Sequence, residues 1–440
     1  MFSDYLLGGK SYYFIGAGGV SMSALALLLH DRGAIVRGSD RCESTFTRKL
    51  RSRGIPVHIG EDETITESDV VYTGAVDGEH PQLAAAKGAG KRLIPRAQLL
   101  GRIAEEFPHV VSVAGCHGKT TTTSMLAHIF RTNRGAFTCH IGGEDVELGN
   151  YFSTGDEYFV TEACEFQRSF LNLKSEIAIV LNTDRDHTDC YADDEELVSA
   201  YREFAARGKW AVVNADDPRA RAIPHTLSFG LYGGDIRAEK LHAEGEMYSF
   251  TVTERSMPLV RVKLRVVGRF HIYNALAAFA AARLLGFTAE EIRRGLESFH
   301  GVKRRFERVG TLSGVPVVCD YAHHPNEIAA TLKAAQRLCA GTVRLVFQPH
   351  TYTRTRDLMK EFTAVLKKAD HPIIYKTYAA REPFDFAGSA VALASNIPEA
   401  RYVQSPEQLK ARLERGGLHS DDLILVLGAG DIYEIMLSIL

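Results

Sequence analysis

The sequence lacks most of what would mark a secreted, membrane-spanning or nucleic-acid-binding chain. Its seven cysteines, at 42, 116, 139, 164, 190, 319 and 339, include no Cys-x-x-Cys pair. An odd, widely spaced set argues against a disulfide framework or a zinc site and for reduced thiols in a cytoplasmic protein. No apolar run approaches the roughly 18 residues that a membrane span needs. Asp4 comes early and no basic region precedes an apolar core, so no signal peptide is expected. A net charge of −2 gives no basic excess for nucleic acid or a membrane surface.

What is present is the composition of a soluble globular chain, 45% hydrophobic and 24% charged over 440 residues. That length suits about two to four domains. One stretch, Val110 to Ser124, organises the rest. An apolar run reads as a buried strand. Gly115 and Gly118 make a tight turn, Lys119 and Thr120 follow, and Thr120 to Phe130 reads as a helix. This order makes a phosphate cradle: backbone N–H groups and a helix N-terminus face an anion, Lys adds charge, and Thr offers a metal-facing hydroxyl. The match to the usual phosphate loop is partial, because Val113 stands where that pattern has its first glycine. Four threonines, 120 to 123, open the helix at a cost of roughly 2 kcal/mol relative to alanines. A purely structural helix has little reason to begin so.

Residues 1–106 read as a first domain. Tyr12 to Gly16 is a strand, Gly16-Ala-Gly18-Gly19-Val-Ser21 a glycine turn, Met22 to Leu29 a helix, and Ala34 to Val36 a strand running toward Asp40. Ser21 replaces the third glycine of the dinucleotide fingerprint. The turn therefore suits a nucleotide or nucleotide-sugar diphosphate better than a dinucleotide, with ligand-free packing the remaining alternative. The polar stretch 104–109 reads as a hinge. Residues 107–302 follow. There three strands end in polar residues, at Glu162, before Asp184 to His187, and at Asn214 to Asp217. In a parallel sheet those ends are the ligand edge, so Glu162 and His187 are candidate metal ligands. Alternation at 249–253 and 259–267 predicts a small antiparallel sheet. Asn274 stands near the start of an alanine-rich helix, either at the nucleotide or as a capping residue. Residues 303–440 again alternate strand and helix. Their strand ends carry Tyr321, His323, His350 and Arg354. The two adjacent histidines, 323 and 324, do not repeat a usual zinc spacing.

Several stretches resemble the Mur ligases, and the likeness covers essentially the whole chain. They are Gly-Cys-His-Gly-Lys-Thr-Thr-Thr-Thr from Gly115, Gly-Val-Lys-Arg-Arg-Phe from Gly301, Asp-Tyr-Ala-His-His-Pro-Asn-Glu from Asp320, Phe-Gln-Pro-His-Thr-Tyr-Thr-Arg-Thr from Phe347, and Gly-Ala-Gly-Asp from Gly428. The resemblance implies three α/β domains: a Rossmann-like UDP-sugar domain, a central ATPase-type domain and a Rossmann-like amino-acid domain. It implies an ATP-dependent amide ligase, of the branch that joins L-alanine to the lactyl carboxylate of UDP-N-acetylmuramate in peptidoglycan precursor synthesis. A diverged ligase for another amino acid or UDP-sugar, and a non-catalytic nucleotide-binding relative, are the alternatives. ATP and Mg2+ are the implied cofactors. No nucleic-acid or membrane partner is expected, and the chain is expected as a monomer or weak homodimer.

The same resemblance implies residue roles. Gly115, His117, Gly118, Lys119, Thr120, Thr121, Asn274 and Arg305 would hold the nucleotide. Thr120, Glu162 and His187 would face magnesium. Gly16, Gly18, Gly19, Ser21 and Asp40 would hold the UDP-sugar. Lys119, Arg305, Tyr321, His323, His350 and Arg354 would surround the reacting groups. Two departures stand out: Cys116 replaces the usual Thr, and Phe270-His271 replaces His-Asn before Asn274.

Overall fold

The computed structural model describes residues 10–440, apart from 75, 77, 78, 134, 185–189, 192, 245, 246, 381 and 416. The described chain groups into two compact units. One comprises the chain up to 242 with 249–264 and 271–300; the other comprises 243–248, 265–270 and 301–440.

The first unit holds two sheets. Five parallel strands make the first, in the order Val57–Ile59, Ile35–Asp40, Ser11–Ile15, Asp69–Tyr72, Arg92–Pro95. The strand order reverses at Ser11–Ile15, so the Gly16–Ser21 turn stands at a topological switch point, where open α/β sheets take ligands. Ten strands make the second sheet: Met257–Leu264, Met247–Glu254, Ile236–Glu244, Leu227–Gly230, Gly208–Asn214, Ser175–Val180, His109–Ala114, Tyr158–Glu162, Phe137–Asp145 and Gly149–Ser153. Its middle is parallel. The alternating segments expected to form a small antiparallel sheet are strands, and they extend the edge of this large one. Period-two patterning specifies a half-wet strand; it does not say which neighbour the strand takes.

Buried side chains before and after the stretch 104–109 pack together. Tyr12, Phe14, Leu25, Leu99, Ile103, Phe107, Val110, Phe159 and Phe204 belong to one buried cluster. Phe107 stacks on Phe159 with ring centroids 4.7 Å apart.

The helix Lys119–Asn133 is buried from Thr120 to Phe130. Glycine is required at 295, because a Cβ there would collide with the Ile129 backbone. A buried polar network fastens the same helix. Asp145 accepts from the Ser124 hydroxyl, meets His128 Nε2 at 3.1 Å, and accepts the Glu147 and Leu148 N–H groups at 2.8 Å each. Burial alone would raise the Asp145 pKa, but His128, Ser124 and the Leu148 amide outweigh it and hold the carboxyl below its usual range.

The second unit has six strands, in the order Glu307–Leu312, Val315–Asp320, Leu423–Leu427, Val343–Phe347, Ile373–Tyr375, Arg401–Val403. All are parallel except the first, which pairs antiparallel with Val315–Asp320. Alternate residues enter two cores: Val318, Leu345, Phe347 and Leu425 in one, Val317, Val346, Ile424 and Val426 in the other. A sheet buried on both faces reads as an unbroken apolar run, which is why these strands were visible in sequence. Among the described residues no helix is long and apolar enough to cross a membrane. No disulfide joins any of the seven cysteines.

Candidate active site

The phosphate loop leaves the end of His109–Ala114 and enters the helix Lys119–Asn133. Gly115 and Gly118 have φ of 137° and 86°, values that favour glycine. A Cβ on Gly118 would collide with Asn274 Oδ1, and one on Gly115 would stand 2.9 Å from Leu181 Cβ. The loop thus has no space for a side chain at either glycine. Asn274 lies against the loop at Gly118, and its amide nitrogen is 3.3 Å from His271 Nδ1. Asn182 braces the loop from the next strand, accepting the His117 N–H at 2.9 Å and donating to the His117 carbonyl at 2.9 Å.

Lys119 curls back into the loop. Its ammonium donates to the Gly115 carbonyl at 2.6 Å, to the Cys116 carbonyl at 3.3 Å, and to both oxygens of Glu165 at 3.1 and 2.9 Å. Burial opposes the charge, but the Glu165 carboxylate overrides it and raises the Lys119 pKa. Glu165 itself is fully buried. Sequence reasoning missed it, although Glu162-Ala-Cys-Glu165 offers two acids at one strand end. Just beyond, Gln167 and Arg168 hold left-handed φ of 51° and 53°.

Glu162 pairs in register with Val113, two residues before Gly115, and accepts the Gly142 N–H at 2.7 Å. Thr120 and Thr121 are buried at the start of the phosphate helix. His187 lies outside the described residues. Among those described, no three His, Cys, Asp or Glu side chains gather as a metal site. Beside the loop a cavity of about 470 Å³ is lined by Thr183, Asp184, Asn214, Asp216, Arg219 and Tyr273. Tyr273 donates to Asp216 at 2.9 Å, and Asp216 also takes the Leu231 N–H at 2.6 Å.

In the first sheet, Gly16 turns with φ of 78°, and the Gly19 N–H donates to the Gly16 carbonyl at 3.2 Å. The Asp40 carboxylate accepts the Gly18 N–H at 2.8 Å, so it braces the turn. Ser21 starts a chain that sequence reasoning did not anticipate. Arg96 donates to its hydroxyl at 3.1 Å, and that hydroxyl is 2.8 Å from His140 Nε2. His140 Nδ1 is 2.9 Å from the Thr161 hydroxyl, which donates to the Glu162 carbonyl at 3.1 Å. The ends fix the directions: Ser21 donates to Nε2, and the Nδ1 proton goes to Thr161. Burial, with Arg96 adding, pushes His140 down to about 3, so it is neutral.

The second unit brings its expected residues together. Val315–Asp320 and Val343–Phe347 flank Leu423–Leu427 and end at the same edge of the sheet. Asp320 accepts the Phe306 and Ala322 N–H groups at 2.7 and 2.8 Å; burial pushes it up to about 6, against the pull of Arg305. The rings of Tyr321 and His323 meet at 5.4 Å, His323 and His350 at 5.9 Å, and His350 and Tyr378 at 5.4 Å. Arg305 lies over Tyr321 at 5.2 Å, and Arg354 reaches His350 Nδ1 at 3.3 Å. His323 Nδ1 is 3.0 Å from the Tyr321 carbonyl, which can only accept. Nδ1 therefore carries the proton, and Nε2 is the basic nitrogen. Burial, followed by His323 and Arg354, pushes His350 down to about 3. His324 instead caps the helix Pro325–Leu338. Arg304 was missed; it stacks on Tyr321 and Tyr433 at 4.9 and 5.2 Å. Non-glycine residues here hold left-handed φ: Arg304 at 61°, Phe306 at 52° and Thr351 at 60°. Each costs about 1–3 kcal/mol and persists because neighbours enforce it, a pattern that collects at functional sites.

Three family descriptions match successive parts of the chain: Mur ligase family, catalytic domain over residues 11–108, Mur ligase middle domain over 113–282, and Mur ligase, glutamate ligase domain over 304–430. The chain belongs to the Mur ligase family. A UDP-N-acetylmuramate–L-alanine ligase of Acetivibrio thermocellus is 40% identical over 444 residues, 97% of this chain and 94% of that one. One from Caldicellulosiruptor bescii is 37% identical over 440 residues, 96% of each. Among solved structures, UDP-N-acetylmuramate-alanine ligase MurC from Thermotoga maritima superposes with a TM-score of 0.85 at 27% identity, covering 97% of both chains. MurF ligase from Thermotoga maritima, solved in complex with ADP, shares the fold at a TM-score of 0.60, with 18% identity and coverage of 91% and 92%. The α/β architecture of this Mur ligase is thus that of its relatives.

Proposed function

We propose that this Mur ligase joins L-alanine to the lactyl carboxylate of UDP-N-acetylmuramate, with ATP converted to ADP and phosphate. The observation that carries the reading is the likeness to alanine-adding ligases over nearly the whole chain, at up to 40% identity. An ionised carboxylate does not acylate an amine at neutral pH. Its oxygen therefore attacks the γ-phosphorus, ADP leaves, and an acyl phosphate forms. The amine then attacks the carbonyl carbon, and phosphate departs with the former carboxylate oxygen.

The first step brings two anions together, so cations are needed. Lys119 and Arg305 supply them, and at ~4 Å in a partly dry site each such contact is worth several kcal/mol. Gly115, His117, Gly118, Thr120, Thr121 and Asn274 cradle the nucleotide. Thr120 and Glu162 offer the hard oxygens that magnesium takes, and the ion when bound would neutralise phosphate charge. The turn Gly16, Gly18, Gly19 and Ser21, braced by Asp40, holds the UDP-sugar. His323 accepts a proton from the amine at Nε2, while His350, Tyr321 and Arg354 hold the amino acid. This assignment divides the chain into a UDP-sugar domain, 1–106, an ATP domain, 107–302, and an amino-acid domain, 303–440, working in the cytoplasm.

ADP release measured with UDP-N-acetylmuramate and each of twenty amino acids tests the reading. L-alanine should give the highest kcat/KM. If L-alanine, glycine and L-serine all fail, the reading falls.

A further inference from the structure

The mechanism above gives Lys119 to the nucleotide, yet in this structure the ammonium already has a full set of partners. It has three donors. They are spent on two loop carbonyls and on the Glu165 carboxylate, at 2.9 Å from the nearer oxygen. Both side chains are screened from water: 15% of Lys119 and 1% of Glu165 is exposed. Glu165 is also fixed from behind, since the Tyr191 hydroxyl donates to its carbonyl at 2.6 Å.

We infer that Glu165 is a positioning residue for Lys119: it holds the ammonium against the loop carbonyls and must yield it when nucleotide phosphates enter. Two consequences follow from charge alone. Burial alone would lower the Lys119 pKa, and Glu165 offsets that. It also competes with, and repels, the anion that the loop exists to bind. Nucleotide affinity is thereby set lower than the cradle could deliver, and ADP leaves more readily because Lys119 has somewhere to return. The inference rests on the phosphate-loop reading.

The test is calorimetric titration of the full-length protein with ADP, in EDTA and then with magnesium, beside steady-state kinetics. Glu165→Gln keeps the shape and removes the charge. It should bind ADP about 10-fold tighter without metal, lower KM for ATP, and lower kcat as ADP release slows. Glu165→Asp, one methylene shorter, should move the same way by about 3-fold and carries the test alone if the Gln variant does not fold. Folded variants that bind ADP as the wild type does, or more weakly, overturn the inference. Lys119→Ala is the separate control: if it binds ADP normally, the phosphate-loop reading itself fails, whatever Glu165 does.

Discussion

The two candidate sites are built from different materials. The phosphate loop is made of backbone: glycines with no room for a Cβ, amides, and one charged pair largely screened from water. The strand-end site of the second unit is made of side chains: edge-to-face rings, three arginines, and three residues held at left-handed φ. A backbone cradle fixes where a phosphate goes and tolerates little change in itself. A side-chain pocket selects among similar ligands and can be retuned one residue at a time.

Four experiments would sharpen or break that contrast. The largest effect belongs to Lys119→Ala. Losing a cation aimed at developing phosphate charge should lower ADP release about 10³-fold or more, with circular dichroism unchanged; near-normal turnover would remove the loop from the chemistry. Asp145→Ala breaks the buried pair behind the phosphate helix and should cost about 3 kcal/mol of stability, read from the urea midpoint. A loss below about 1 kcal/mol would mean the cradle is not fastened there.

In the side-chain site, His323→Gln keeps an acceptor but cannot take a proton. A fall in kcat of about 10² with little change in KM for L-alanine marks a base; retained kcat marks an orienting role. The smallest effect is acid sensitivity. His140 and His350, both near 3 when folded, bind a proton only when unfolded between about pH 6.5 and 3. Their stability contribution is present above that window and falls as pH drops through it. Asp145, held below its usual range, adds to the loss further down. Asp320, near 6 when folded, takes up its proton early, so its contribution rises as pH falls from about 6 to 4. Hydrogen exchange at pH 7 and pH 5 should therefore show less loss of protection in Val315–Asp320 than in Phe137–Asp145. The reverse order would contradict the assignment.

What could be read beforehand follows the same division. The phosphate loop was legible because glycine, lysine and threonine at fixed spacing can do little else after a buried strand. Buried parallel strands such as Leu423–Leu427 were legible as apolar runs. The three-residue strands Ile373–Tyr375 and Arg401–Val403 carry no period to detect. Asn182, Arg96 and Glu165 were missed because their meaning lies in partners 46 to 75 residues away, and no local pattern encodes such distances. The stretch 104–109 lies beside the place where two family descriptions part, at 108 and 113, and Phe107 within it still packs into a core shared by residues on both sides.

In the proposed reaction a carboxylate oxygen passes to phosphate. UDP-N-acetylmuramate labelled with 18O in its lactyl carboxylate, turned over with ATP and L-alanine, tests it directly. The released phosphate should carry one 18O for each amide formed. Unlabelled phosphate alongside amide product would contradict the account.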